Sequence, residues 1–370
     1  MKKNTTEHRE GNRKSRQHAE ENVIVGIDLG DRGSSYCILS QAGEVLRAST
    51  VATTKKDLNR VFGALPHSRV ALEAGTHSPW VSRLLKALGH EVIVANPRRV
   101  RLISASSRKN DRLDAETLAR LARVDPKMLF PIRHRGEAAQ ADLTTIRVRA
   151  ALVEARTMLI NAARGLSKSF GERLKKCDAR YVHGELAKDL PAALQASLQP
   201  LLEQIGQMSA RIHAYDQEIE RLARERYPET CLLTAVSGVG ALIALAYMLT
   251  IEDPHRFRRS REVGCYLGLR PKRKQSGGSN PELGISKEGD VYVRKLLVQA
   301  AHVILGRHGG DSDLRRFGQR LAARGGKGAK KKARVAVARK LAVLLHHLWA
   351  SGEVYEPLRS KPAAALAAAA

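Results

Sequence analysis

Four carboxylates in the first third of the chain occupy positions where packing alone gives them little to do. Asp28 closes the apolar run VIVGID before the turn residues that follow, where a side chain can leave the core and enter a cleft at a sheet edge, or serve as a turn former before Gly30. Glu73 ends the run VALE, in which Val70, Ala71 and Leu72 read as a buried strand, an awkward place for an acid. Asp111 and Asp114 stand three apart in DRLDAETLARLARV. Residues i and i+3 share a helix face, so the two charges repel unless a cation lies between them. An acidic first turn favoured by the helix dipole accounts for one of the two. Together, a strand-end Asp, a strand-end Glu and an Asp-x-x-Asp face form a set able to hold two divalent ions about 4 Å apart. Hard oxygen donors favour Mg2+, with Mn2+ able to substitute. Such a pair lowers the pKa of an attacking hydroxyl and neutralises charge on a phosphate and its leaving oxygen.

The elements that must position these acids can be read from spacing. VIVGIDLG, SYCILS and VLRAST, separated by turn residues, predict three consecutive antiparallel strands. A helix from Lys55 to Leu65, a strand in RVALEAG, a helix in PWVSRLLKALG and a strand in HEVIVANP follow, which predicts a mixed sheet covered by helices. Asn110 is placed to cap the next helix, whose Leu113, Leu118 and Leu121 fall mostly on one side. This unit closes near Pro126 to Pro131. Two long helices come next. In the second, Leu201, Ile205, Met208, Ile212, Tyr215, Ile219 and Leu222 step by four and three, an a/d seam that can pair within the chain or with a second subunit. The organisation expected is a basic tail (1–22), an α/β domain (23–133), a coiled-coil helical linker (134–227), a mostly α-helical C-terminal domain (228–357) and a low-complexity tail (358–370).

The charge balance points to a polyanion. The 370 residues carry 64 Lys and Arg against 37 Asp and Glu, a formal net charge of +27, and the ordinary polyanion inside a cell is nucleic acid. Aromatics at 4% argue against a groove lined with stacking platforms. Between Leu314 and Lys340 there are eleven Lys or Arg and no acid, so Lys330, Lys331, Lys332 and Arg334 are candidates for phosphate contact. A second basic concentration, Arg270, Lys272, Arg273 and Lys274, precedes QSGG, with Lys287 and Arg294 beyond it. Cys37, Cys177, Cys231 and Cys265 are isolated, which suggests neither a zinc site nor a disulfide framework and fits a reduced cytoplasmic thiol. The uncharged stretch from Cys231 to Ile251 is near the length of a membrane span, but its glycines and Ser237, and the basic residues on both sides, favour a buried helical hairpin turning at 237–240.

The ordered blocks VIVGIDLG, VALEAG and RKNDRLDAETLARL resemble the catalytic DEDD set of transposases whose nuclease domain is ribonuclease-H-like, similar to the junction resolvase RuvC. LTAVSGVGALIALAYMLTI, RSREVGCYLGLRP, QSGG and GISKEGDVYVRKLLVQAA resemble the C-terminal domain of the insertion-sequence 110/1111 family. The resemblance covers roughly Val23 to Tyr355. It implies a recombinase in which both halves share one active site, with Asp28, Glu73, Asp111 and Asp114 binding two Mg2+ ions. It also implies a serine nucleophile that forms a transient link to a DNA 5′ phosphate. By position that serine is Ser276, with Ser279 and Ser286 as competitors; the adjoining glycines let backbone approach a phosphate. The same resemblance implies double-stranded donor and target DNA, a structured noncoding guide RNA, and a homo-oligomer, dimer or tetramer. Three other readings differ in what they need. A junction resolvase or nuclease acting through metal-activated water leaves Ser276 unexplained. An actin-like sugar kinase, suggested by GIDLGDRGS, lacks a later Asp-x-Gly phosphate loop. A non-enzymatic nucleic-acid scaffold would tolerate loss of the acids.

Overall fold

The computed structural model describes residues 22–100, 111–272, 279, 281 and 283–359. The chain divides into two compact units, 1–135 and 136–370.

In the first unit, β1 (Ile24–Asp28), β2 (Gly33–Leu39) and β3 (Val45–Ala52) form the antiparallel meander expected from the turn spacing. β4 (Arg69–Glu73) pairs parallel with β1, and β5 (Glu91–Ala95) parallel with β4, giving the order β3-β2-β1-β4-β5. α1 (Lys55–Phe62) and α2 (Ser78–Ala87) cover one face, packing Leu58, Phe62, Val81 and Leu85 against Val25, Ile27, Val70 and Leu72. α3 (Asp111–Val124) covers the other, where Ala115, Leu118, Ala119 and Ala122 meet Ile24, Leu39, Ala71 and Ile93. The two faces follow from the period-2 alternation of strand side chains. A mixed sheet with two antiparallel additions on a parallel core and helices on both faces is the ribonuclease-H-like arrangement.

One expectation for α3 is overturned. Leu113 is 48% exposed, whereas the buried stripe is built mainly of alanines. Small residues let the helix backbone approach the sheet closely, and a leucine at 113 would face the core only if the helix were rotated. Asn110 lies outside the described residues.

The second unit is helical. α4 (Glu137–Ser169) and α5 (Ala192–Glu225) lie antiparallel: Ile160 and Ala163 near the end of α4 share a core with Leu194, Leu198 and Leu202 near the start of α5, while Leu143 and Ile146 meet Ile219 and Leu222. The seam therefore pairs within the chain. The leucine fully buried at the expected start is Leu202, not Leu201, the seam extends back through Leu198 to Leu194, and Tyr215 is only half-buried. Arg149 pairs with Asp216 at 2.8 Å across the hairpin. Asp142 is 6% exposed, held by Arg226 at 2.7 Å and by the Tyr227 hydroxyl at 2.6 Å. Burial first, then the hydrogen bond to that carboxylate, pushes the Tyr227 phenol up to about 12.

The apolar stretch forms the expected hairpin, α6 (Thr230–Thr234) turning into α7 (Ala241–Ile251). α7 is apolar all round because it is enclosed on every side. Tyr247, fully buried, donates to the Ala342 carbonyl at 2.6 Å. No helix among the described residues is long and apolar enough to cross a membrane. α8 (Arg261–Tyr266), α9 (Val291–Leu305), α10 (Asp313–Ala323) and α11 (Ala329–Ser351) complete the core, which α4 and α5 share at one end.

Candidate active site

Asp28 and Glu73 are the last residues of β1 and β4, adjacent parallel strands in which Ile27 is the register partner of Leu72. The two acids are therefore the next step of one register. Alternation places both on the α3 face, because Val25, Ile27, Val70 and Leu72 all belong to the opposite one. Both are half-buried.

The direction of α3 supplies the rest. Gly26 lies against it so closely that a Cβ there would sit 2.0 Å from the Ala115 carbonyl oxygen and 2.5 Å from the Ala119 amide nitrogen. At the opposite end of the sheet Arg69, register partner of Ile24, donates Nη1 to the Ala122 carbonyl at 3.3 Å. α3 thus runs antiparallel to β1 and begins where β1 and β4 finish. From the middle of the Gly26 contact, Asp28 is about 7 Å along the strand, and Asp114 and Asp111 are about 5 and 9 Å along the helix axis. All four acids collect at one end of one face of the sheet. Asp114 is half-buried and Asp111 exposed, as fits a helix whose first turn overhangs the sheet edge.

Two loops that follow the strand-end acids are tied together by residues that spacing did not single out. His77 Nε2 meets Asp31 Oδ1 at 3.2 Å, joining the loop after β4 to the turn after β1. His77 Nδ1 accepts from Trp80 Nε1 at 3.1 Å, which leaves Nε2 as the nitrogen that faces Asp31. Ser78 Oγ meets His134 Nε2 at 2.8 Å; burial first, then nearby arginines and a lysine, lowers the His134 pKa below its usual value.

The donor set fits a hard divalent cation: four carboxylates, with no thiolate or imidazole among them. Among the described residues, however, no group of three or more His, Cys, Asp or Glu is arranged to hold a metal ion.

In the second unit the basic segment after α8 forms a two-stranded ribbon. Pro271 bridges Ile285, Lys272 N donates to Gly284 O at 2.9 Å, and Ser286 N donates to Arg270 O at 2.8 Å. Its base is tight: a Cβ on Gly268 would lie 2.0 Å from the Glu288 carbonyl oxygen, and Gly268 has a φ of +68°, which favours glycine. Arg270, Lys272 and Lys287 are exposed on the ribbon, as are Lys330, Lys331 and Lys332 on α11; Arg334 is half-buried. Ser276, Arg273 and Lys274 lie outside the described residues. Of the competing serines, Ser279 is exposed, and the Ser286 hydroxyl is buried with no hydrogen-bond partner among the described residues.

Arg294, expected from sequence to contact nucleic acid, is drawn into the protein. It is 8% exposed, and its Nη1 donates to Leu267 O at 2.9 Å and to Glu288 O at 2.7 Å. So enclosed, the guanidinium joins the two ends of the ribbon. Asp290 accepts from Val293 N at 2.9 Å as the α9 N-cap and pairs with Arg147 of α4.

Comparison with known proteins agrees with both halves. Residues 25–170 match the model of a DEDD transposase family, and residues 231–319 match that of the transposase IS116/IS110/IS902 family. A protein of Pseudomonas aeruginosa described as "Probable family 20 transposase" is 32% identical over 251 residues, 66% of this chain and 73% of that one. The chain belongs to the insertion-sequence 110/1111 family of DEDD transposases. The transposase is also similar to that of insertion sequence IS1111A from Coxiella burnetii, 28% identical over 79% of this chain and 80% of that one. The transposase of IS1328 from Yersinia enterocolitica is 29% identical over 77% and 84%, respectively. The match from 25 to 170 spans the sheet, α3 and α4, so every acid of the proposed set falls within it.

Proposed function

We propose that this transposase cuts and rejoins DNA with Asp28, Glu73, Asp111 and Asp114 as a metal-binding set and Ser276 as nucleophile. The observation that carries the reading is the convergence of the four acids on one end of one sheet face, two from adjacent strand ends and two from the first turn of the helix packed over them. Four acids at one end of a sheet face, in a chain of net charge +27, would suit a cation that meets a phosphate. Asp28, Glu73, Asp111 and Asp114 would hold the magnesium, which when bound would supply positive charge to the phosphate and the leaving oxygen.

In the proposed step the Ser276 hydroxyl gives up its proton and its oxygen bonds to phosphorus. The P–O3′ bond breaks, leaving a free 3′ hydroxyl and a 5′-phosphoserine. Attack by another strand's 3′ hydroxyl reverses the step and restores serine. Arg270, Lys272 and Lys287 on the ribbon supply positive charge near the phosphate, and the lysines of α11 contact backbone phosphates. The family resemblance adds a structured noncoding RNA that pairs with donor and target DNA, and a homo-oligomeric assembly. Delegating sequence readout to base pairing suits a chain rich in phosphate-binding charge.

Asp28→Asn and Asp114→Asn should each abolish strand cleavage in Mg2+ while nucleic-acid affinity stays within about threefold. Cleavage that survives either substitution rules out the metal set.

A further inference from the structure

The second unit contains a cleft of about 1830 Å3 beside the ribbon, bounded by α10, α11 and the segment near Tyr355. Small-molecule sites occupy about 300–1,000 Å3, so this one is larger than a metabolite needs. Its floor is apolar, with Leu269, Ile285, Phe317, Val335 and Leu344. Its rim is cationic: among the described residues nine Lys or Arg line it against two acids, Asp313 and Glu356. Lys272 and Lys287 come from the ribbon and Lys331, Lys332, Arg339 and Lys340 from α11. Lys340 Nζ is held 4.2 Å above the Phe317 ring, so a charge is fixed directly over the apolar floor.

We infer that this cleft takes an unpaired DNA strand next to the scissile phosphate, bases against the floor and phosphates along the rim. The inference rests on the proposed role of Ser276, since the ribbon residues on either side of it in sequence, Lys272 and Gly284, line one wall. Three features select this occupant. A duplex hides its base faces in its own stack and has nothing to offer an apolar floor. A second copy of a chain of net charge +27 meets like charge at this rim. A wall built chiefly of aliphatic side chains, with Phe317 and Tyr355 its aromatic rings among the described residues, is a local strand site, which is compatible with the low aromatic content of the chain.

The test uses the full chain without divalent cations, so that no strand is cut, and a fluorescein-labelled single-stranded DNA 12-mer. The same sequence is supplied as duplex and as RNA. Anisotropy is read across a salt series. The variant K331Q/R339Q/K340Q should bind the single strand at least tenfold more weakly, with a log–log salt slope reduced by about two, as three single-strand contacts require. Phe317→Leu, which keeps apolar volume, should weaken single-strand binding by roughly fivefold or more and leave the slope unchanged. Lys55→Gln, on α1, is the control and should change nothing. The inference is overturned if the triple variant binds the single strand within twofold of wild type. It is equally overturned if duplex suffers the same loss as the strand, if RNA suffers more than DNA, or if the variants alter the sedimentation of protein alone. Because cleavage is never read, failure here is distinguishable from failure of the metal set, which Asp28→Asn tests.

Discussion

Gly26 of β1 faces Ala115 of α3 at a separation that leaves no room for a side chain: an added Cβ would lie 2.0 Å from the Ala115 carbonyl oxygen. That contact sets the depth at which α3 lies on the sheet, and so where Asp111 and Asp114 stand relative to Asp28. Gly26→Ala should displace the helix, lower stability by about 1–3 kcal/mol, as overpacking does, and reduce cleavage by more than tenfold at temperatures where the variant is folded. Leu113→Ala, on the exposed side of the same helix, should stay within about 0.5 kcal/mol of wild type. Thermal melts and a cleavage assay on both variants check this.

The contrast shows what the sequence could and could not convey. The strands, their turns and the acids at their ends were legible because alternation and turn residues are local signals. The face of α3 was not, since a leucine-based stripe points to Leu113 while the helix buries Ala115, Ala119 and Ala122. Alanine carries little amphipathic signal, and its use becomes visible only beside Gly26. The seam of α5 was read nearly in register, with Leu202 in place of Leu201, because Leu201 and Leu202 are equally apolar neighbours. The His77–Asp31 tie joins residues 46 apart, a pairing that no periodicity announces.

Arg294 was read as a surface cation because charge carries no information on burial. With its guanidinium donating to both ends of the ribbon, Arg294→Ala leaves two carbonyls without that donor. It should destabilise the protein by about 1–3 kcal/mol and reduce cleavage while the salt slope of DNA binding stays as in wild type. A slope lowered by about one would instead make Arg294 a phosphate contact.

Neutralising Lys330, Lys331 and Lys332 together should lower the slope of log affinity against log salt on duplex DNA by about three phosphates' worth, or 2.7. Binding isotherms over a salt series decide the point. An unchanged slope assigns these lysines to solvent.

His346 is buried, with Nε2 2.8 Å from the Pro254 carbonyl and Nδ1 3.0 Å from Ser260 Oγ, an arrangement that suits the neutral ring. Burial, the largest cause, lowers its pKa, and burial lowers that of His134 also. The unfolded chain therefore binds more protons than the folded one just below the usual histidine pKa. Stability contributed by the neutral rings is present above about 6.5 and is lost as pH falls toward the lowered folded values. The melting temperature should drop between pH 7 and 5, and His346→Gln should flatten part of that drop.

The most direct test of the account is a covalent one. End-labelled substrate DNA incubated with the full-length transposase and Mg2+, then denatured, should yield a labelled protein–DNA adduct that protease removes. Ser276→Ala and Asp28→Asn should yield none while still binding the DNA. An adduct formed equally by Ser276→Ala would place the nucleophile elsewhere, and one formed equally by Asp28→Asn would contradict a reaction centred on the strand-end acids.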